Sequence, residues 1–244
     1  MPPRYQQDAP RISFGGPLTP GVKALLIVNV AVFVLELFIA RTEEAWPLFL
    51  QNFALNPRAV FLQFKVWQLV TYMFLHSPES VFHILFNMLV LWMFGGDVER
   101  VWGTPRFIRY YLITGVGAAI TNCAFAFMQP QTLGASGAIF GVIVAYGMVF
   151  PHRTILFWGL FPMSARQFAL LLGAIELLTL GALSADGVAR FAHLGGALTG
   201  YILIKGLWDP RRLIADLRWR MRRRRFRSID RDDRRDKDRF YPYH

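Results

Sequence analysis

The sequence predicts an all-α, polytopic membrane protein, a bundle of six membrane-spanning helices whose long first loop lies in the membrane interface. Three observations carry this prediction. Hydrophobic residues make up 54% of the chain and charged residues 18%, against about 45–50% and about 25% in an ordinary soluble protein. Six apolar stretches approach the ~20 residues needed to cross a hydrocarbon layer of ~30 Å. Lys and Arg gather in alternate connections, which sets an orientation.

The elements follow in order. Residues 1–20 are polar and rich in Pro and Gly, and read as a cytoplasmic segment without a cleavable signal peptide. The spanning domain covers 21–208. Its first span runs from Val22 to about Ala40, entered through Pro20-Gly21. The second runs from Ser80 to Gly96 and ends at Asp97. Phe107 to Met128 is the third, closed by Pro130, and Gly134 to Phe150 the fourth, stopped by Pro151. The fifth is Phe168 to Leu183, and the sixth is Phe191 to Trp208, stopped by Asp209-Pro210. Between spans one and two lie the clusters Leu48-Phe49-Leu50, Phe53-Ala54-Leu55 and Val60-Phe61-Leu62, too short to span. They read as helical pieces lying in the headgroup zone. Residues 209–244 form a basic tail expected to be disordered.

Charge then orients the bundle. Arg4, Arg11 and Lys23 precede span one, Arg100, Arg106 and Arg109 surround the second connection, and Arg153 and Arg166 lie in the fourth. The third connection, Gln129 to Leu133, has no Lys or Arg, and the fifth has only Arg190. Both termini therefore face the cytoplasm, which requires an even number of spans. A bacterial plasma membrane is the expected location.

The net charge of +11 could suggest nucleic acid, but 15 of the 27 Lys and Arg lie from Lys205 onward. A juxtamembrane run such as Arg222-Arg223-Arg224-Arg225 meets anionic lipid at about 1 kcal/mol per charge. Membrane lipid is the expected partner of the tail, and nucleic acid is not. The single cysteine, Cys123, excludes an intrachain disulfide and a Cys-based metal site.

Polar groups inside spans are costly and so are functional candidates. In span two, His83 and Asn87 are four residues apart and share a helix face. In span four, Gly134-Ala135-Ser136-Gly137 puts a serine near the outer end. Gly134, Gly137 and Gly141 strip bulk from one side of that helix. In span six, His193, Gly196 and Gly200 form one stripe, placing an imidazole where a neighbouring backbone can come close. Each set alone has a plain structural explanation: helix glue, an N-cap, or small-residue packing. Together they supply a nucleophile, a base within reach, and oxyanion donors from the Ser136 N–H, His83 and Asn87. No Asp or Glu lies in span four or six, so the expected unit is a Ser136/His193 dyad. Glu176, in span five, receives no role, and His76 reads as a solvated loop residue.

These pieces resemble the rhomboid family of intramembrane serine proteases. The matching residues are His83-x-x-x-Asn87, Gly95-Gly96-Asp97-Val98-Glu99, Gly134-Ala135-Ser136-Gly137 and His193-x-x-Gly196-x-x-x-Gly200. The resemblance implies a six-helix core and a Ser136/His193 dyad with an oxyanion site from His83, Asn87 and backbone N–H groups. It also implies cleavage of single-span membrane substrates near the outer face, without metal or cofactor. Two departures stand out. Trp67-Gln68 replaces the family's Trp-Arg pair, and Phe140 stands where many members stack a Tyr on the histidine. A catalytically silent adaptor that binds client helices is the rival reading. A transporter would show polar residues deep in several spans and repeat symmetry, and neither is present.

Overall fold

Residues 15–127, 131–157, 159–180 and 187–206 are described by the computed structural model of the chain. Within them run α1 (Pro20–Ile39), α2 (Ala45–Phe53), α3 (Pro57–Leu62), α4 (Gln68–Thr71), α5 (Val81–Val90), α6 (Gly96–Trp102) and α7 (Thr104–Phe125). Then come α8 (Ser136–Val149), the hairpin β1 (Thr154–Phe157) and β2 (Phe161–Ser164), α9 (Ala165–Thr179) and α10 (Gly187–Lys205). A 3₁₀ turn, Tyr72–Phe74, extends α4, and a π-helical stretch, Leu91–Gly95, fuses α5 to α6. The protein is mostly helical, and a helix occupies part of each expected span.

Apolar side chains fill the core, yet many large ones also face outward while polar groups of the same helices are buried. Ile27, Val30, Leu35 and Phe38 of α1 are exposed while Asn29 and Glu36 of the same helix are fully buried. On α5, Val81, Phe82, Leu85 and Phe86 face outward while Asn87 is buried. Such a pattern fits a lipid solvent, where polar groups must find partners inside the protein. By length and composition, Pro20–Ile39 and Val81–Trp102 can cross a membrane, whereas Ser136–Val149 is apolar but shorter.

Three details depart from the sequence reading. The helix of the second stretch does not stop at Asp97 but runs on to Trp102, because both acids beyond Gly96 find partners within the protein. Asp97 pairs with Arg100 and Arg153. Glu99 accepts from the Thr19 hydroxyl, from the N–H groups of Gly21 (2.7 Å) and Val22 (2.8 Å), and from Thr104 Oγ1 (2.5 Å). It thereby caps the positive N-terminus of α1, which otherwise has unpaired donors. The fourth connection holds an antiparallel hairpin with Thr154 opposite Ser164, so the fold is helical with one small sheet. Span five begins at Ala165, where Ser164 and Gln167 form a capping box. The expected ends of spans three, five and six at Met128, Leu183 and Trp208 lie outside the described residues, as does the tail from 207 on.

The first loop is pinned from below. Gln68, fully buried, takes the N–H of Asn56 on its Oε1 (3.0 Å), and its Nε2 donates to Gln51 O (2.9 Å). Trp67 Nε1 donates to Asn52 O at 2.8 Å. A neutral amide thus holds α2 and α3 in place where the family pair would use an arginine. Leu55 and Thr132 exchange backbone hydrogen bonds at 2.9 Å in both directions, and this bridge ties the loop to the segment that leads into α8.

Candidate active site

α8 is the central element. Nine of its residues, from Gly137 to Gly147, are buried. Its 14 residues give about 21 Å at ~1.5 Å each, short of the ~30 Å hydrocarbon layer. Ser136 is the first residue of that helix and Ala135 its N-cap, which leaves the Ser136 N–H among the early donors that no turn of the helix uses.

Gly134 is not part of the packing face. It sits before the helix at φ 124°, a region that L side chains rarely adopt, and its N–H donates to Tyr72 O at 2.9 Å. A Cβ there would lie 2.8 Å from His83 Nε2 and 3.8 Å from Ser136 Oγ. The missing side chain leaves open the space between imidazole and hydroxyl. The other expected glycines do pack helices. A Cβ on Gly196 would strike the Gly137 carbonyl oxygen, and one on Gly200 would sit 3.1 Å from Gly141 Cα. Gly137 and Gly141 likewise admit Ala118 and Thr114 of α7, each 2.7 Å from where a Cβ would be.

That backbone approach between α8 and α10 brings His193 Nε2 to 2.7 Å from Ser136 Oγ. Phe140, one turn beyond Ser136, stacks on the imidazole with centroids 4.4 Å apart and planes at 11°. The opposite ring nitrogen is also held: Nδ1 lies 2.9 Å from Glu176 Oε1 of α9. The sequence reading left Glu176 without a role, and the structure places its carboxyl group beside the imidazole. The acid comes from span five, and the sequence does not show which way that helix turns.

His83 is braced from behind. The His76 ring meets it edge-on, centroids 5.1 Å apart at 60°. His76 is not a solvated loop residue. It is fully buried, and its backbone N–H donates to both oxygens of Glu36 at 3.1 and 3.0 Å. Among the described residues neither of its ring nitrogens has a hydrogen-bond partner. Burial, with His83 adding to it, pushes the His76 imidazole down to about 3. Asn87 spends one amide hydrogen on the His83 carbonyl (2.8 Å) and keeps a second donor. A hydroxyl on an imidazole, with a second imidazole and a helix-start N–H beside it, can perform nucleophilic acyl transfer.

Comparison with known proteins decides the family: the Rhomboid domain matches residues 63–210, more than half of the chain. The chain belongs to the rhomboid family. The matched segment of this rhomboid runs from α4 through α10 and contains His83, Asn87, Ser136, Glu176 and His193. RHOMBOID-like protein 2 of Arabidopsis thaliana is 29% identical over 213 residues, 75% of this chain and 64% of the plant protein. Rhomboid protease GluP of Bacillus subtilis is 29% identical over 160 residues, 65% and 29% of the two chains. Rhomboid protease AarA of Providencia stuartii is 27% identical over 204 residues, 73% and 69%. The chain spans less than two thirds of the length of the first two. As a rhomboid it is an integral membrane protein of a family that includes intramembrane serine proteases.

Proposed function

We propose that this rhomboid is an active serine endopeptidase that cuts single-span membrane proteins near the outer face of a six-span bundle. The observation that carries the reading is the 2.7 Å contact between Ser136 Oγ and His193 Nε2. In the first half-reaction Ser136 Oγ bonds to the scissile carbonyl carbon and passes its proton to His193 Nε2. The tetrahedral oxyanion takes hydrogen bonds from the Ser136 N–H, His83 and Asn87, donors of a kind worth about 2.7–4 kcal/mol each. His193 then gives the proton to the leaving amine as the C–N bond breaks. Water attacks the acyl-enzyme, His193 takes its proton and returns it to Ser136, and the new carboxyl terminus departs. Neither metal nor cofactor enters these steps.

The alternation of basic connections supports cytoplasmic termini and a bacterial plasma membrane. With that orientation Ser136 opens toward the outside, where water is available for the second half-reaction. The basic tail, outside the described residues, would contact anionic lipid. The rival reading of a silent adaptor has no need of a hydroxyl seated on an imidazole. Reconstituted protein should cleave a labelled single-span substrate and react with a fluorophosphonate, and Ser136→Ala and His193→Ala should each lose both by at least about 10³-fold. Cleavage that survives Ser136→Ala undiminished sinks the proposal.

A further inference from the structure

We propose that Glu176 is a positioning residue for His193, so that Ser136, His193 and Glu176 act as a three-member unit drawn from α8, α10 and α9. The inference rests on the protease reading above. Glu176 Oε1 lies 2.9 Å from His193 Nδ1 while the other ring nitrogen holds Ser136. The side chains of His193 and Glu176 are 17% and 16% exposed, so the pair is largely withdrawn from solvent. Its neighbours on α9 point the other way: Ile175, Leu177 and Leu178 are exposed on the apolar outside. A carboxyl group in such a helix costs free energy unless it is partnered, and the partner is the candidate base.

A neutral imidazole has one N–H and one lone pair. To accept the Ser136 proton, Nε2 must carry the lone pair, and Nδ1 must carry the hydrogen. An acceptor-only carboxylate at Nδ1 selects that tautomer. It also faces the imidazolium that forms when the proton moves from Oγ to Nε2. Phe140 fixes the plane of the ring, and Glu176 fixes which nitrogen faces Ser136. No proton passes to Glu176. An amide at this position presents a donor or an acceptor equally well, so Glu176→Gln keeps the shape and loses the selection.

The test uses the full chain in proteoliposomes. Wild type must first cleave substrate and take up a fluorophosphonate through Ser136; if it does neither, the protease reading fails before any Glu176 variant is made. Given wild-type activity, Glu176→Gln and Glu176→Ala should lower kcat about 10²-fold or more, with KM within about threefold. Glu176→Asp, which keeps the carboxylate, should recover at least tenfold of that loss, at about the cost of one methylene in reach. In ¹⁵N-histidine protein, the His193 signal, identified by its absence in His193→Ala, should report a protonated Nδ1 in wild type. In Glu176→Gln it should move toward a protonated Nε2. Wild-type kcat in Glu176→Gln overturns the proposal. So does a loss of activity with the tautomer unchanged and Glu176→Asp no better than Glu176→Ala, which marks a purely structural side chain.

Discussion

His193 is held by three residues with three different kinds of contact: a hydroxyl from Ser136, a carboxyl from Glu176 and a phenyl face from Phe140. The phenyl stack was expected from the family resemblance, because Phe140 stands where many members stack a Tyr on the histidine, and the structure has the two rings stacked. Ring stacks of this kind contribute about 0.5–1.5 kcal/mol. If that contribution acts on the rate, Phe140→Ala should lower kcat/KM by about 2- to 10-fold, and Phe140→Tyr should stay near wild type. Steady-state cleavage of one substrate by the three proteins checks this. The Glu176 contact was only half legible. A lone acid in an apolar span flags itself, but its partner depends on how α9 is rotated against α10, which no spacing within α9 reveals.

At the scale of elements, the bundle's centre is a set of backbone contacts that small residues permit. Gly137 to Gly196 and Gly141 to Gly200 let α8 and α10 touch along one line, and the Ser136–His193 distance depends on that line. Gly196→Ala places a Cβ against the Gly137 carbonyl oxygen, which only a shift of one helix can relieve. It should cost about 1–3 kcal/mol of stability and lower activity further by opening the Ser136–His193 gap. Gly173 on α9 has nothing within 4 Å of the same added atom. Gly173→Ala should therefore be neutral or gain up to about 1 kcal/mol from helix propensity. Thermal unfolding in detergent, run side by side on the two variants, separates a packing glycine from an incidental one. Both stripes had been visible as i, i+3 and i+7 patterns. The separate role of Gly134 had not, because a glycine needed for its φ of 124° looks the same in sequence as one needed for packing.

Among the described residues ten polar or charged side chains lie buried beside the apolar core, His76 among them, and one consequence is a dependence of stability on pH. His76 is held near 3 when folded and has an ordinary value of 6.5. Between those values the unfolded chain binds a proton that the folded protein refuses, so folding loses stability as pH falls from about 6.5 toward 3. Glu36 and His83 face the same pocket, so the His76 share appears as a difference between proteins. Wild type should lose melting temperature on acidification more steeply than His76→Leu does, and equal slopes for the two would refute a His76 origin. The neutral ring also leaves an uncharged brace behind His83. Its burial was not legible, because a short segment between two helices carries no hydrophobic period that says which way a side chain turns.

The sequence by itself determined the solvent and the parts. Its apolar runs, the side bias of Lys and Arg, and the order of Ser136, His193, His83 and Asn87 follow from local composition and helical spacing, which any span of about 20 residues displays. It also marked the glycine stripes of α8 and α10 as faces where a neighbour can come close. Tertiary structure alone decided the pairings between helices: Glu176 with His193, Glu99 with the start of α1, Gln68 with the first loop, and His76 behind His83. Each depends on the rotation of one rigid element against another. Rotation is set by the sum of contacts along both faces, and no single residue's identity encodes it.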